Sequence, residues 1–84
     1  MLFQLSWETA PGLGGLRCEG FRAVAVEQPE GAAGVAIECG SQQKADRLAQ
    51  AAEEQFARKR FSNAAAAFEA VKTFVWDQAV GGPA

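Results

Sequence analysis

The chain has 84 residues, of which 49% are hydrophobic and 21% are charged, and its formal net charge is -2. A chain of this length holds at most one domain, and this composition is typical of a folded globular protein. The absence of His and Tyr removes imidazole bases, imidazole metal ligands and phenolic acids. We therefore expect one small non-enzymatic domain over residues 1–84, without metal or other cofactor, and with a flexible tail at 80–84.

The N-terminal sequence and the charge balance argue against export, membrane and nucleic acid. The first residues contain no basic leader followed by an apolar run, and no apolar run approaches the roughly 20 residues that span a bilayer. A slightly negative net charge gives no general reason to expect an anionic partner. A cytoplasmic location is expected, in which Cys18 and Cys39 are reduced thiols rather than a disulfide.

The first half of the chain alternates between apolar and polar residues, as half-buried strands do. The alternation predicts strands at about 1–8, 16–28 and 33–39, and residues 9–15 have the composition of a loop. Between the second and third strands, the segment Pro29–Gly31 favours a tight turn. These patterns predict a three-stranded antiparallel β-meander, in which each strand pairs with the next.

The predicted turn also sets a register for the second and third strands. In that register Arg22 lies opposite Glu38, and the apolar residues of both strands share the other face. Upstream, the alternation slips by one residue at Glu19 and Gly20. A β-bulge is expected there, because glycine is a common bulge residue, and it would return Cys18 to the apolar face.

After residue 40 the apolar spacing changes from two to three and four, which indicates helices. Ser41 is a suitable N-cap for a helix at about 42–60, and a second helix is predicted at about 63–79. A single continuous helix is the alternative, but it would overhang the strands, so a break near Phe61–Asn63 is favoured. The predicted fold is α+β in two layers.

The second predicted helix is apolar over about half of its circumference, more than one small sheet is expected to bury. Aromatic side chains on such a face commonly anchor interfaces, because they bury a large area at low entropic cost. We therefore predict a homodimer through this helix, or binding to another protein. The expected contact residues are Phe68, Val71, Phe74, Val75 and Trp76. The edge strands offer another route to a dimer, through one continuous sheet.

Arg58, Lys59 and Arg60 form the main concentration of basic residues and are a candidate anion contact. They support an alternative function as a nucleic-acid-associated regulator, although cations at the end of a helix also offset its dipole without any ligand. A further alternative is a small-ligand-binding dimer with a pocket beside the exposed sheet face. The glycine-rich segment 12–15 precedes a strand rather than a helix, so it does not match a phosphate-binding loop.

Overall fold

The computed structural model describes residues 1–28 and 34–80, without the side chains of residues 79 and 80. The elements in chain order are β1 (Leu2–Gly12), β2 (Gly15–Ala25), β3 (Gly34–Glu38), α1 (Gln42–Phe56), β4 (Arg60–Phe61) and α2 (Ala64–Val80). The strands form one antiparallel sheet in the order β3-β1-β2-β4, and both helices pack against it. The predicted two-layer α+β fold is confirmed. The predicted turn at 29–31 and the tail at 81–84 lie outside the described residues.

β1 is the central strand, and β3 lies beside β1 rather than beside β2. Phe3 of β1 faces Ile37 of β3 on one side and Ala25 of β2 on the other. The predicted meander, in which β3 pairs with β2, is therefore wrong in strand order. Both orders place the same apolar side chains on the core face, because side chains along a strand repeat every two residues. The alternation of apolar and polar residues alone therefore does not show whether β3 pairs with β1 or with β2.

The predicted pairing of Arg22 with Glu38 is wrong for the same reason. Arg22 faces Ser6 of β1, and Glu38 faces Leu2. The carboxylate of Glu38 instead accepts a hydrogen bond from the N-terminal ammonium group of Met1, at 2.7 Å. Exposed ion pairs contribute only about 0–1 kcal/mol, so burial of the apolar residues of β1 outweighs a cross-strand charge pair in choosing the strand order.

The predicted bulge in β2 is confirmed. Trp7 of β1 stands opposite two residues of β2, Gly20 and Phe21, where the register shifts by one. Gly20 has a φ of 66°, a left-handed conformation that favours glycine. As a result Cys18 and Phe21, which are three residues apart, both point into the core and are buried.

β1 continues into the segment 9–15 that was predicted as loop, and it includes Pro11. The backbone N–H of Val26 donates to the carbonyl of Leu2, which sets the direction of every second N–H along β1. By this alternation the nitrogen of Pro11 faces away from β2. The described pairing with β3 stops at Ser6, so a proline at this position removes no hydrogen bond from the ladder.

The predicted break between the helices is confirmed, and a short strand occupies it. α1 ends at Phe56, earlier than predicted, and β4 at Arg60–Phe61 extends the sheet beside β2. α2 then begins with a cap, in which the side-chain oxygen of Asn63 accepts a hydrogen bond from the backbone N–H of Ala66 at 2.8 Å. Ser41 caps α1 in the same way, as predicted.

The core lies between the helices and one face of the sheet. The buried residues of α1 are three alanines and Phe56, so this helix lies close to β2. Aromatic rings fill the space beside it: the ring centres of Trp7 and Phe21 are 5.6 Å apart, and those of Phe56 and Phe74 are 5.5 Å apart in an edge-to-face contact. The other face of the sheet is not covered by either helix.

β3 packs closely against β1 at Gly34. A Cβ at this position would collide with the backbone oxygen of Leu5, so one strand must move to accept a side chain. We expect Gly34→Ala to lower the free energy of unfolding by about 1–3 kcal/mol, measured by urea denaturation.

The matched control is Gly40→Ala, because a Cβ there meets only the flexible side chain of Lys44, at 3.7 Å. This variant is expected to change the free energy of unfolding by less than about 0.5 kcal/mol. Equal losses in the two variants would contradict the close approach of β3 to β1.

Candidate functional site

Two of the predicted interface residues lie inside the chain's own core. Val71 and Val75 are fully buried between α2 and the sheet, and Ala67 one turn earlier is buried with them. Their spacing of four residues forms a single stripe that holds α2 to the sheet. These side chains therefore have no surface left for a partner, in contrast to the sequence expectation.

Phe68 and Phe74 have an intermediate position. Both are half-buried and pack against the edge of the core. The ring of Phe68 lies 5.9 Å from that of Trp7, centre to centre, and Phe74 meets Phe56 edge-on. Most of their apolar area is used within the monomer, so each can contribute only a rim contact to an interface.

Trp76 differs from the other predicted contact residues, because 58% of its surface is exposed. At about 100° per residue, Trp76 projects roughly 140° around α2 from Val71, outside the buried stripe. It is the only exposed aromatic residue in the described parts of the chain. Its neighbours one turn earlier, Lys72 and Thr73, are exposed and polar. Of the broad apolar surface predicted for this helix, one large side chain therefore remains exposed.

The three residues of the basic triplet have different local surroundings. Arg58 is exposed after the end of α1, whereas the ammonium group of Lys59 lies 5.7 Å from the centre of the Phe56 ring, a cation–π contact. Arg60 belongs to β4 and lies directly opposite Arg17 of β2. The structure therefore brings Arg60, one of the three predicted anion contacts, beside Arg17, which was not among them.

The two cysteines are free thiols in different surroundings. Burial raises the pKa of the Cys18 thiol above its ordinary value of 9.0, while a hydrogen bond with Trp7 acts in the opposite direction. Cys39 is half-buried at the margin of a surface depression of about 370 Å³, which Lys44 and Arg47 also line.

The other surfaces of the described residues offer few groups for metal binding or catalysis. Within residues 1–28 and 34–80, no three His, Cys, Asp or Glu residues lie close enough together to hold a metal ion. A depression of about 580 Å³ runs along α1, and its lining includes Glu53, Glu54 and Arg58, whose side chains are exposed. In the same described ranges, neither helix has the length and apolar character required to cross a bilayer.

Comparison with known proteins gives no match to a family model, to a curated protein or to a solved structure. The exposed and unpaired groups described above are therefore the basis for a functional proposal.

The burial of Cys18 predicts a large difference between the two thiols. In the native protein near neutral pH, we expect a thiol reagent to modify Cys39 and to reach Cys18 roughly 100-fold more slowly, because Cys18 reacts only through opening of the fold. Modification followed by peptide mass analysis measures both rates, and denaturant should make them similar. Equal rates in the native protein would contradict the buried position of Cys18.

The raised pKa of Cys18 also predicts a loss of stability in alkali. A thiol that holds its proton more tightly in the folded state contributes stability that is fully present below pH 9.0 and is lost as the pH rises through the folded pKa. The free energy of unfolding should therefore fall above pH 9.0 more steeply in the parent than in Cys18→Ala. Parallel pH profiles for the two proteins would contradict this assignment.

Proposed function

We propose that this chain is a non-enzymatic interaction module that forms a homodimer, and that Trp76 of α2 is the anchor of the interface. The supporting observation is the exposure of this indole, which faces away from the core on a well-anchored helix. Tryptophan is enriched among residues that dominate binding energy, because its large rigid surface is removed from water at low entropic cost.

The packing of α2 favours this role for Trp76. Val71 and Val75 are fully buried and fix the helix to the sheet, so the backbone that carries Trp76 is ordered before any partner binds. Little conformational entropy is then lost on association, which is the advantage of a preorganised contact. A domain of this length also buries only about 60% of its unfolded surface, so association adds stability that the monomer lacks.

Substitution of Trp76 tests this route. We expect the parent protein to sediment as a dimer and Trp76→Ala to weaken association by at least about 30-fold, the effect of losing a strong interface anchor. Thr73→Ala is the matched control, because it removes a smaller exposed side chain one turn away and should leave the dimer intact. A parent that remains monomeric at all concentrations would refute self-association.

The open edge of β3 supports a second route to a homodimer, through a different interface. The backbone N–H of Cys39 donates to the carbonyl of Met1 at 3.1 Å, so by alternation the N–H groups of Gly34, Ala36 and Glu38 point away from β1. Within the described ranges, no strand pairs with this side of β3. Such an edge adds a further strand readily, and two copies would form one eight-stranded sheet.

A proline at residue 36 separates the edge route from the helix route. Ala36→Pro removes an outward-facing N–H without affecting the ladder with β1, so dissociation of this variant alone would assign the interface to β3. Ala36→Thr keeps the N–H and is the matched control. Under the proposed helix route, Ala36→Pro remains a dimer while Trp76→Ala does not.

The nucleic-acid alternative has weaker support. The ammonium group of Lys59 packs on the Phe56 ring, Arg58 lies in the turn after α1 and Arg60 lies in β4, so the three cations do not project from one regular element towards a phosphate backbone. Within the described residues, the outer sheet face also carries no exposed aromatic side chain for stacking on bases. The small-ligand alternative would use the outer sheet face, where Gln4 and Val26 line a depression of about 370 Å³.

A further inference from the structure

Two arginines lie side by side on the outer face of the sheet, at the end where β4 joins β2. Leu16 pairs with Phe61, and the next residues, Arg17 and Arg60, pair with each other. Leu16 and Phe61 pack against the core. Because side chains alternate along a strand, Arg17 and Arg60 both point to the opposite face, which the helices leave open.

No acidic side chain neutralises this pair within the described residues. Neither guanidinium has a carboxylate within 4.0 Å in that part of the chain, where the Met1–Glu38 contact is the only ion pair. The nearest acidic residue along β2 on the same face is Glu19, which lies opposite Glu8 of β1. Like charges directly opposite each other on neighbouring strands are destabilising, so the arginine pair is an unfavourable arrangement without an anion.

One donor of this pair is already out of contact with water. The Nε atom of Arg17 is buried and has no hydrogen-bond partner. The Arg17 side chain lies across Gly12, where an added Cβ would stand 3.1 Å from Cγ, Cδ and Nε. Packing against a glycine therefore fixes the stem of Arg17. Because Nε is closed off on this packed side, the donors open to an anion are the terminal N–H groups of the guanidinium.

We infer that Arg17 and Arg60 form a binding site for a small phosphate-type oxyanion. Two guanidinium groups on adjacent strands provide several N–H donors on one side, and a guanidinium binds tetrahedral oxyanions through paired hydrogen bonds. The residue opposite Arg17 on β1 is Ala10, whose side chain is small. This leaves room for the anion next to the sheet, and its charge removes the repulsion between the arginines.

Thermal unfolding with inorganic phosphate tests the site. With ionic strength held constant by chloride, phosphate at ten times its dissociation constant should raise the Tm of the parent by roughly 6–11 °C. Arg17→Gln and Arg60→Gln should each remove most of this shift. Arg22→Gln and Arg47→Gln are the controls, because both arginines are exposed and neither adjoins the pair: Arg22 lies opposite Ser6, and Arg47 belongs to α1. Both variants should keep the shift.

Two further measurements distinguish a loss of phosphate binding from a loss of folding. Arg17→Lys retains the charge and the stem over Gly12 but lacks the paired terminal N–H donors of a guanidinium, and it should fold like the parent yet lose at least tenfold in phosphate affinity. Without phosphate and at low salt, Arg60→Gln should unfold at the same or a higher temperature than the parent, because it removes the like-charge pair.

The source of the phosphate group is resolved by titrating glycerol phosphate beside inorganic phosphate. A larger rise in Tm with glycerol phosphate than with inorganic phosphate would show that the site binds a phosphate ester of a small molecule. An equal or smaller rise would show that it binds the free ion. The inference is overturned if phosphate does not raise the Tm of the parent, or if the arginine pair variants and the controls respond equally. Because the site does not include Trp76 or β3, this outcome is independent of the dimer proposal.

Discussion

The central position of β1 is the constraint on which the remaining structure depends. Phe3 and Leu5 are fully buried under the helices, and this part of β1 pairs with β2 on one side and β3 on the other. Burial of these large apolar side chains on an interior strand contributes several kcal/mol at roughly 25 cal/mol per Å² of apolar surface. It leaves β3 and β4 at the edges, and so it decides which backbone groups and which charged side chains stay open.

The arrangement of the helices follows from the uneven sizes of their side chains. α1 approaches β2 through Ala45, Ala49 and Ala52, and these small residues leave room above the same sheet face for the larger side chains of α2. Val71 and Val75 take that space. A face that is broadly apolar in sequence is therefore mostly hidden within one copy, and the solvent-facing side of the helix retains a single large aromatic residue.

Local signals in the sequence predict local structure well, and the pairing of distant strands poorly. The cap at Ser41 and the bulge at Gly20 each depend on a few adjacent residues, and each is confirmed. The predicted neighbour of β3 is wrong, because an apolar residue at every second position fits pairing with β1 as well as pairing with β2. β4 has two residues and hence no period at all, so no pattern in the sequence brings Arg60 beside Arg17.

The proposed interfaces and the proposed anion site lie on different parts of the molecule. Trp76 belongs to the helical layer, so a dimer through it leaves both outer sheet faces open. In a dimer through β3, the order β3-β1-β2-β4 places the two β4 strands at the far ends of an eight-stranded sheet. At about 4.8 Å per strand, the centres of the two arginine pairs, each between β2 and β4, would then stand roughly 29 Å apart, beyond the Debye length at physiological salt. In either dimer each copy therefore carries its own anion site, and binding at one does not repel binding at the other.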